Sequence, residues 1–389
     1  MELTLEAYRN IVKNVGSRAD IATLCGVSRG FRRVAERALY NTLFMRNDEE
    51  TTILCHTLFD SPRLAALVDA LTISLSEDDN DSDNDDDEDD ESDDERSERP
   101  DMDWLGVAHA LERTVNLRYL NAHINDGSST AVSWILNKCT FQLQRFHCDF
   151  DWDHNLVRFF DSQSKLEDLY IQDFKEDTDP IHDPSGTTLS PPATSLTLGV
   201  ESIPKLSTLE CTFSEAAMAL VPGRPITHLK TCFSRTEINE KRNEMHELLS
   251  KVGQSTRPLR SLDIADSSYA EPFSTELLAA IANKRSLLSE LRHLGAFVLP
   301  IDGRERLQFY GLLMRFPKIH SVEFEVSEWL PPPSSAPALR ALAGELRLYN
   351  PSVQKVVFVH NFDRSVVTAV NGALRVDPEI NTELLWREN

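Results

Sequence analysis

The chain has 389 residues, 41% of them apolar and 26% charged, with a formal net charge of −23. That length and apolar content supply a sizeable core. No window of 18 or more apolar residues exists to cross a membrane, and no cluster of Lys and Arg exists to displace phosphate counterions, which argues against nucleic acid as a partner.

The opening run MELTLEAYRN has no basic stretch leading into an apolar one, so neither a secretory leader nor a membrane anchor is expected there. Residues 3 to 44 are predicted to form three short helices. Leu5, Tyr8, Ile11 and Val12 make one apolar face; Asp20 is placed to cap a second helix holding Ile21, Leu24 and Val27; Ser28 is placed to cap a third carrying Phe31, Val34, Ala35, Ala38 and Leu39. A domain of about 40 residues is too small to stand alone and needs something to lean on.

Leu3, Glu6, Tyr8, Ile11, Asp20, Ile21, Leu24, Val27, Ser28, Phe31, Arg32, Ala35, Leu39 and Tyr40 follow a pattern that resembles the F-box. This is the short helical module that docks a protein onto the Skp-type adaptor of a cullin-RING ubiquitin ligase. The run LxxVSRxFRxxAxxxLY, from Leu24 to Tyr40, is its most specific part. Thr4 stands where the pattern has proline. The resemblance implies an adaptor-binding surface built from Leu3, Leu5, Ile11, Ile21, Leu24, Val27, Phe31 and Leu39. It also implies leucine-rich repeats downstream, the arrangement of many fungal members.

Residues 46–75 are predicted to hold a first helix and strand, with Leu54, Leu58, Leu64, Leu67, Leu71, Ile73 and Leu75 inside. Residues 76–103 break the pattern. From 77 to 103 eighteen Asp and Glu face only Arg96 and Arg99, a local net of −16, which leaves −7 for the rest of the chain. Like charges with nothing to bury predict a disordered acidic insertion, in which Ser76, Ser82 and Ser92 precede acidic residues as an acidophilic kinase would require.

From 104 to 389 one unit recurs. Pro317 is followed by Ile319, Val322, Phe324 and Val326; Pro204 by Leu206, Leu209 and Cys211; Pro351 by Val353, Val356 and Phe358. Looser copies lie at Leu117, Leu143, Leu166, Ile226, Leu259 and Leu291, mostly after an amphipathic segment such as 104–115, 130–138, 154–163, 274–288 and 336–348. Before Pro317, Leu307, Tyr310, Leu313 and Met314 mark a helical face. Helix, proline stop and strand, repeated at 20 to about 40 residues, predict an α/β fold. We read it as an irregular leucine-rich-repeat horseshoe solenoid behind the helical module. An ordinary βα sheet protein is the competing reading. Proline-marked loops are expected at 175–195 and at 329–337.

Six cysteines without a CxxC pair fit reduced thiols in a cytoplasmic or nuclear compartment. His147, Asp149, Asp151, Asp153 and His154 could present a row of metal ligands, but Phe146, Cys148 and Phe150 alternate with them as a half-buried strand requires. There is no GxSxG turn, Gly-rich phosphate loop or HExxH helix, so neither catalysis nor a cofactor is expected. In each strand the residues flanking the second apolar position turn away from the core. In the first half these are Tyr119, Asn121, His123, Arg145, His147, Asp149, Asp168, Tyr170 and Gln172, the expected partner-binding set. Farther on they are His228, Lys230, Asp263, His293, Glu323 and Lys355. Two functions fit. One is a non-catalytic substrate receptor of an SCF-type ligase, bound to the Skp-type adaptor and an unidentified target protein, with no nucleic acid or membrane partner. The other is a repeat scaffold whose degenerate F-box caps the solenoid and recruits no ligase.

Overall fold

In a computed structural model, side-chain oxygens of Thr4, Ser17 and Ser28 start the first three helices by accepting N–H bonds from Ala7, Asp20 and Phe31 at 3.3, 3.4 and 3.2 Å. The second cap is therefore Ser17; Asp20 sits in the helix's first turn. The structure describes residues 3–46, 49–74, 102–124, 132–172, 197–199, 201–266, 270–378 and 380–388. The acidic insertion, with Ser76, Ser82 and Ser92, lies outside the described residues save Met102 and Asp103; so does the loop at 175–195. The protein is mixed α/β, and its contacts divide it into two compact units, Met1–Gln163 and Ser164–Asn389.

The first unit begins with α1 (Leu5–Lys13), α2 (Arg18–Leu24) and α3 (Arg29–Tyr40) around Tyr8, Val12, Val34 and Ala35, with Ile21, Leu24, Cys25 and Phe31 packed against them. The Tyr8 and Phe31 rings meet edge to face at 4.6 Å. A Cβ on Gly30 would lie 2.4 Å from the Tyr8 ring, so α1 and α3 approach this closely only with glycine there. Next come β1 (Thr42–Met45), α4 (Glu49–Asp60), α5 (Pro62–Ala65), β2 (Ala70–Ser74), α6 (Trp104–Arg113), β3 (Tyr119–His123), β4 (Arg145–Cys148) and α7 (His154–Ser162). The third helix ends before β1, whose Leu43 and Met45 are buried while Thr42 and Phe44 are exposed. The segment expected as a helix at 130–138 is a single 3-10 turn, Ser133–Leu136. β1 to β4 pair in parallel and in chain order, which aligns Leu43, Leu71, Leu120 and Phe146.

The second unit holds β5 (Asp168–Ile171), β6 (Thr208–Phe213), α8 (Ser214–Leu220), β7 (His228–Cys232), α9 (Ile238–Val252), β8 (Ser261–Ala265), α10 (Glu271–Ala282), α11 (Arg285–Leu288), β9 (His293–Val298), α12 (Gly303–Leu313), β10 (Ser321–Glu325), α13 (Ala336–Tyr349), β11 (Lys355–His360), β12 (Asp363–Val370) and β13 (Ala373–Val376). β5 to β11 are parallel and again in chain order. The second apolar position of each strand stacks on the next, Leu169, Leu209, Leu229, Leu262, Leu294, Val322 and Val356, all at most 1% exposed. Burying each such side chain contributes about 1.5–3 kcal/mol, so the ladder is a principal source of stability. The helices close its other side through ring contacts such as Phe297 to Phe309 and Phe309 to Phe324, 6.1 and 5.8 Å apart. On α12 the buried face is Phe309, Tyr310 and Leu313, whereas Leu307 and Met314 are exposed.

Two hairpins end the ladder. Asn361 and Phe362, with φ of 47° and 71°, turn β11 into antiparallel β12, and Asn371 and Gly372, with φ of 52° and 81°, turn β12 into β13. No helix among the described residues is long and apolar enough to cross a membrane.

Candidate functional site

Because side chains alternate along a strand, burying the apolar ladder turns the intervening residues to the opposite, polar side. In the first unit this gathers the expected residues. Parallel register sets Tyr119 beside Arg145 and Asn121 beside His147, with His123 one step on. Tyr119 is 39% exposed, and its hydroxyl donates to Gln144 Oε1 at 3.1 Å. Asp149 lies just beyond β4, where Oδ2 accepts the Ile124 N–H at 2.6 Å. Asp153 accepts the Leu156 N–H at 2.9 Å and the Ser133 hydroxyl at 2.6 Å, which fixes it as the cap of α7. Among the described residues no group of His, Cys, Asp or Glu is arranged to hold a metal.

The second unit departs from a simple wet face. Its polar side carries two rows in register. Asp168, Thr208, His228, Ser261, His293, Ser321 and Lys355 form one; Tyr170, Glu210, Lys230, Asp263 and Gly295 form the other, with Glu323 on β10. Most of it is covered. Asp168, Ser261, Asp263, His293, Ser321 and Glu323 are all buried. Tyr170 is half-buried and Gln172 exposed.

Residues 380–388 supply part of the cover, and Arg364 of β12 reaches Glu323. Arg387 grips both carboxylate oxygens of Asp168 at 2.6 Å, and its other terminal nitrogen donates to Glu210 at 2.6 Å. Glu210 also pairs with Lys230 at 3.0 Å. Trp386 is 3% exposed, with the Arg387 guanidinium 4.4 Å and the Lys230 ammonium 6.0 Å from its ring centre. Leu385 packs with Val357 and Val366, alongside Val359 and Ile380. Adjacent residues of this segment thus reach opposite ends of the ladder: Arg387 meets β5 and β6, and Glu388 meets Lys355 of β11 at 3.7 Å. In a flat sheet six strand spacings would separate β5 from β11 by about 29 Å, and neighbouring residues lie only about 3.8 Å apart along the chain. Side chains supply part of that reach, but Leu385, two residues before Arg387, packs directly on Val357 of β11, so the second unit's sheet curls toward its polar side, around the segment.

That enclosure sets the electrostatics. Burial raises the Asp263 carboxyl above its usual range against the pull of Lys230 and Arg364. Burial and the neighbouring Asp263 push Glu323 up to about 7 although Arg364 pairs with it at 3.2 Å. Burial, reinforced by the neighbouring His228 and by the positive charge of Lys230 and Arg364, holds His293 down to about 3, so its ring is neutral. Its Nδ1 lies 2.8 Å from Ser321 Oγ. Next to it β9 bulges: Leu294 pairs with Val322 but Phe297 with Phe324, and the extra residue, Ala296, has φ of 62°. A Cβ on Gly295 would meet the Asp263 carboxylate at 2.8 Å and His293 Nε2 at 3.1 Å, so the bulge needs glycine at that point.

The residues named for the helical module separate into two sets. Ile21, Leu24 and Phe31 pack on the module's own core, and Leu39 is half-buried beside a groove lined by Arg18, Tyr40, Phe44 and Leu54. Leu3, Leu5, Ile11 and Val27 are exposed by 50, 37, 41 and 64%.

Fold and site together define a parallel-sheet α/β protein with an apolar-studded helical module at one end of its sequence and a charged, enclosed strand face in its second unit. A scan against protein-family models finds no match to the chain, and a search of curated proteins finds none either.

Proposed function

We propose that the chain is a non-catalytic substrate-recognition subunit of an SCF-type ubiquitin ligase. In this reading α1 to α3 are an F-box that binds the Skp-type adaptor, the strand–helix units are leucine-rich repeats forming a horseshoe, and the polar strand face holds a target protein. Ubiquitin transfer then follows from proximity, because tethering raises the effective concentration of target lysines and no residue here breaks or makes a bond. The observation that carries the reading is the set of large apolar side chains exposed on a small helical module, Leu3, Leu5, Ile11 and Val27. Solvated surfaces gain nothing from such a cluster, whereas a helical partner does. The in-register ladder and the curl of the second unit support the repeat half.

The test is co-purification of the full chain with the adaptor. Ile11→Asp combined with Val27→Asp alters exposed positions only, so the chain stays folded and adaptor recovery falls at least about tenfold. An unchanged yield would show that the docking surface is elsewhere, and no adaptor with the unaltered chain would end the ligase reading.

One observation favours the repeat scaffold without a ligase. α3 runs directly into β1, and Glu36 on it forms a two-pronged pair with Arg63 of α5. The module is thus built onto the first strand of its unit, as a cap would be. A soluble, monodisperse chain that never retains adaptor is the outcome this second reading expects.

A further inference from the structure

Charge along the second unit's polar face already selects a kind of ligand. At its β5–β6 end the face presents two carboxylates, Asp168 and Glu210, and Lys230 pairs with Glu210. Segment 380–388 meets these two carboxylates with one guanidinium and sinks one indole beside it, while its own Glu383 and Glu388 stay exposed. N–H bonds from Leu385 and Arg387 go to Thr382 and Leu384, inside the segment, and none of its residues belongs to a strand. Farther along, Ser261 Oγ and His293 Nε2 are fully buried, adjacent in register, and without a hydrogen-bond partner among the described residues. The middle of the face therefore retains polar capacity that the segment leaves unused.

We propose that this face is a binding groove for a segment of another protein in which an aromatic residue precedes arginine, and that residues 380–388 are its built-in competitor. The pair Trp386-Arg387 displays the chemistry: the arginine forks onto Asp168 and Glu210 while the ring lies between two cations. Acidic residues at the same place repel phosphate-bearing ligands, which leaves a polypeptide as the occupant. A partner reaches the groove by displacing the resident segment, so its apparent affinity is reduced by the fraction of time the groove is filled. The inference takes from the proposed function only that the strand face holds the target. Its test contains no adaptor, so its failure leaves adaptor binding untouched.

The probe is a fluorescent synthetic peptide with the sequence of residues 380–388, titrated by anisotropy into the full chain and into a Trp386→Ala, Arg387→Ala double variant. The double variant is expected to bind the peptide at least about tenfold more tightly than the unaltered chain. Adding Asp168→Asn and Glu210→Gln, or replacing tryptophan or arginine in the peptide by alanine, is expected to abolish binding. Equal binding by both chains, no binding by a double variant that still melts cooperatively, or binding indifferent to those changes would overturn the proposal. Where the double variant fails to fold, hydrogen exchange on the unaltered chain decides. A displaceable segment exchanges its amides at least about tenfold faster than β7 and β8, and exchange at the same rate identifies a fixed structural strap and overturns the proposal.

Discussion

Replacing Glu323 by glutamine tests whether the polar face is as enclosed as described. The native carboxyl holds its proton up to about pH 7, mainly through burial and then through Asp263, whereas in the unfolded chain it releases it near 4.5. Between those values the folded state binds a proton that the unfolded state has lost, so this group makes the unaltered protein less stable as pH rises through the window. Glutamine has no such transition. At about 1.4 kcal/mol per pH unit the gap sets a ceiling of about 3 kcal/mol. Arg364, 3.2 Å away, loses its partner in the variant, and Asp263 takes over part of the relief, so the expected net gain is about 1–2 kcal/mol. Urea unfolding at pH 4 and pH 8 measures it: Glu323→Gln should match the unaltered chain at pH 4, below both values, and exceed it at pH 8. A variant less stable at pH 8 would mean that the Arg364 pair outweighs burial, and the account of the face would be refuted.

Removing the Arg387 side chain strips the forked guanidinium from buried Asp168 and one of two cations from half-buried Glu210, and should cost about 2 kcal/mol in urea unfolding, with Arg387→Lys intermediate because an ammonium cannot fork. Phe146→Ala empties a fully buried site packed by Phe150, Phe159 and Phe160 and should cost about 3–5 kcal/mol by the same measurement. Burial pushes the Cys55 and Cys211 thiols up to about 12 and raises Cys148 as well, so iodoacetamide at pH 8 should label the partly exposed Cys25 well before these three, as peptide mass mapping would show.

The strand pattern was readable because a proline precedes the same apolar triplet at three places, and the last two members of each triplet keep the strand spacing of two. Ile319, Val322, Phe324 and Val326 are all buried, as are their counterparts after Pro204 and Pro351. The same alternation pointed to His228, Lys230, Asp263, His293 and Glu323 as one polar face. What it could not convey is that the sheet curls and is then plugged, since that depends on Arg387 meeting Asp168 across 219 residues. Local spacing carries no trace of the fully buried Arg224, whose guanidinium donates to the carbonyls of Ser202, Leu220 and Gly199, or of the Lys241–Asp266 pair, 2.5 Å apart in the core. Other features left a signal that went unused. Asn371-Gly372 is a strong two-residue hairpin mark, and Phe316, fully buried, fits the face of α12 better than Met314 does. β1 is four residues long and follows a helix without a break, too short for its alternation to stand out.

A row of strand–helix pieces that touch only their neighbours ordinarily frays from both tips inward. Arg387 and Glu388 change that within the second unit by stitching β5 to β11, so that one short segment ties two strands far apart in the ladder. Whatever pulls the stitch out would loosen β5 and β11 together, so an event at residue 387 is felt as far away in sequence as residue 168.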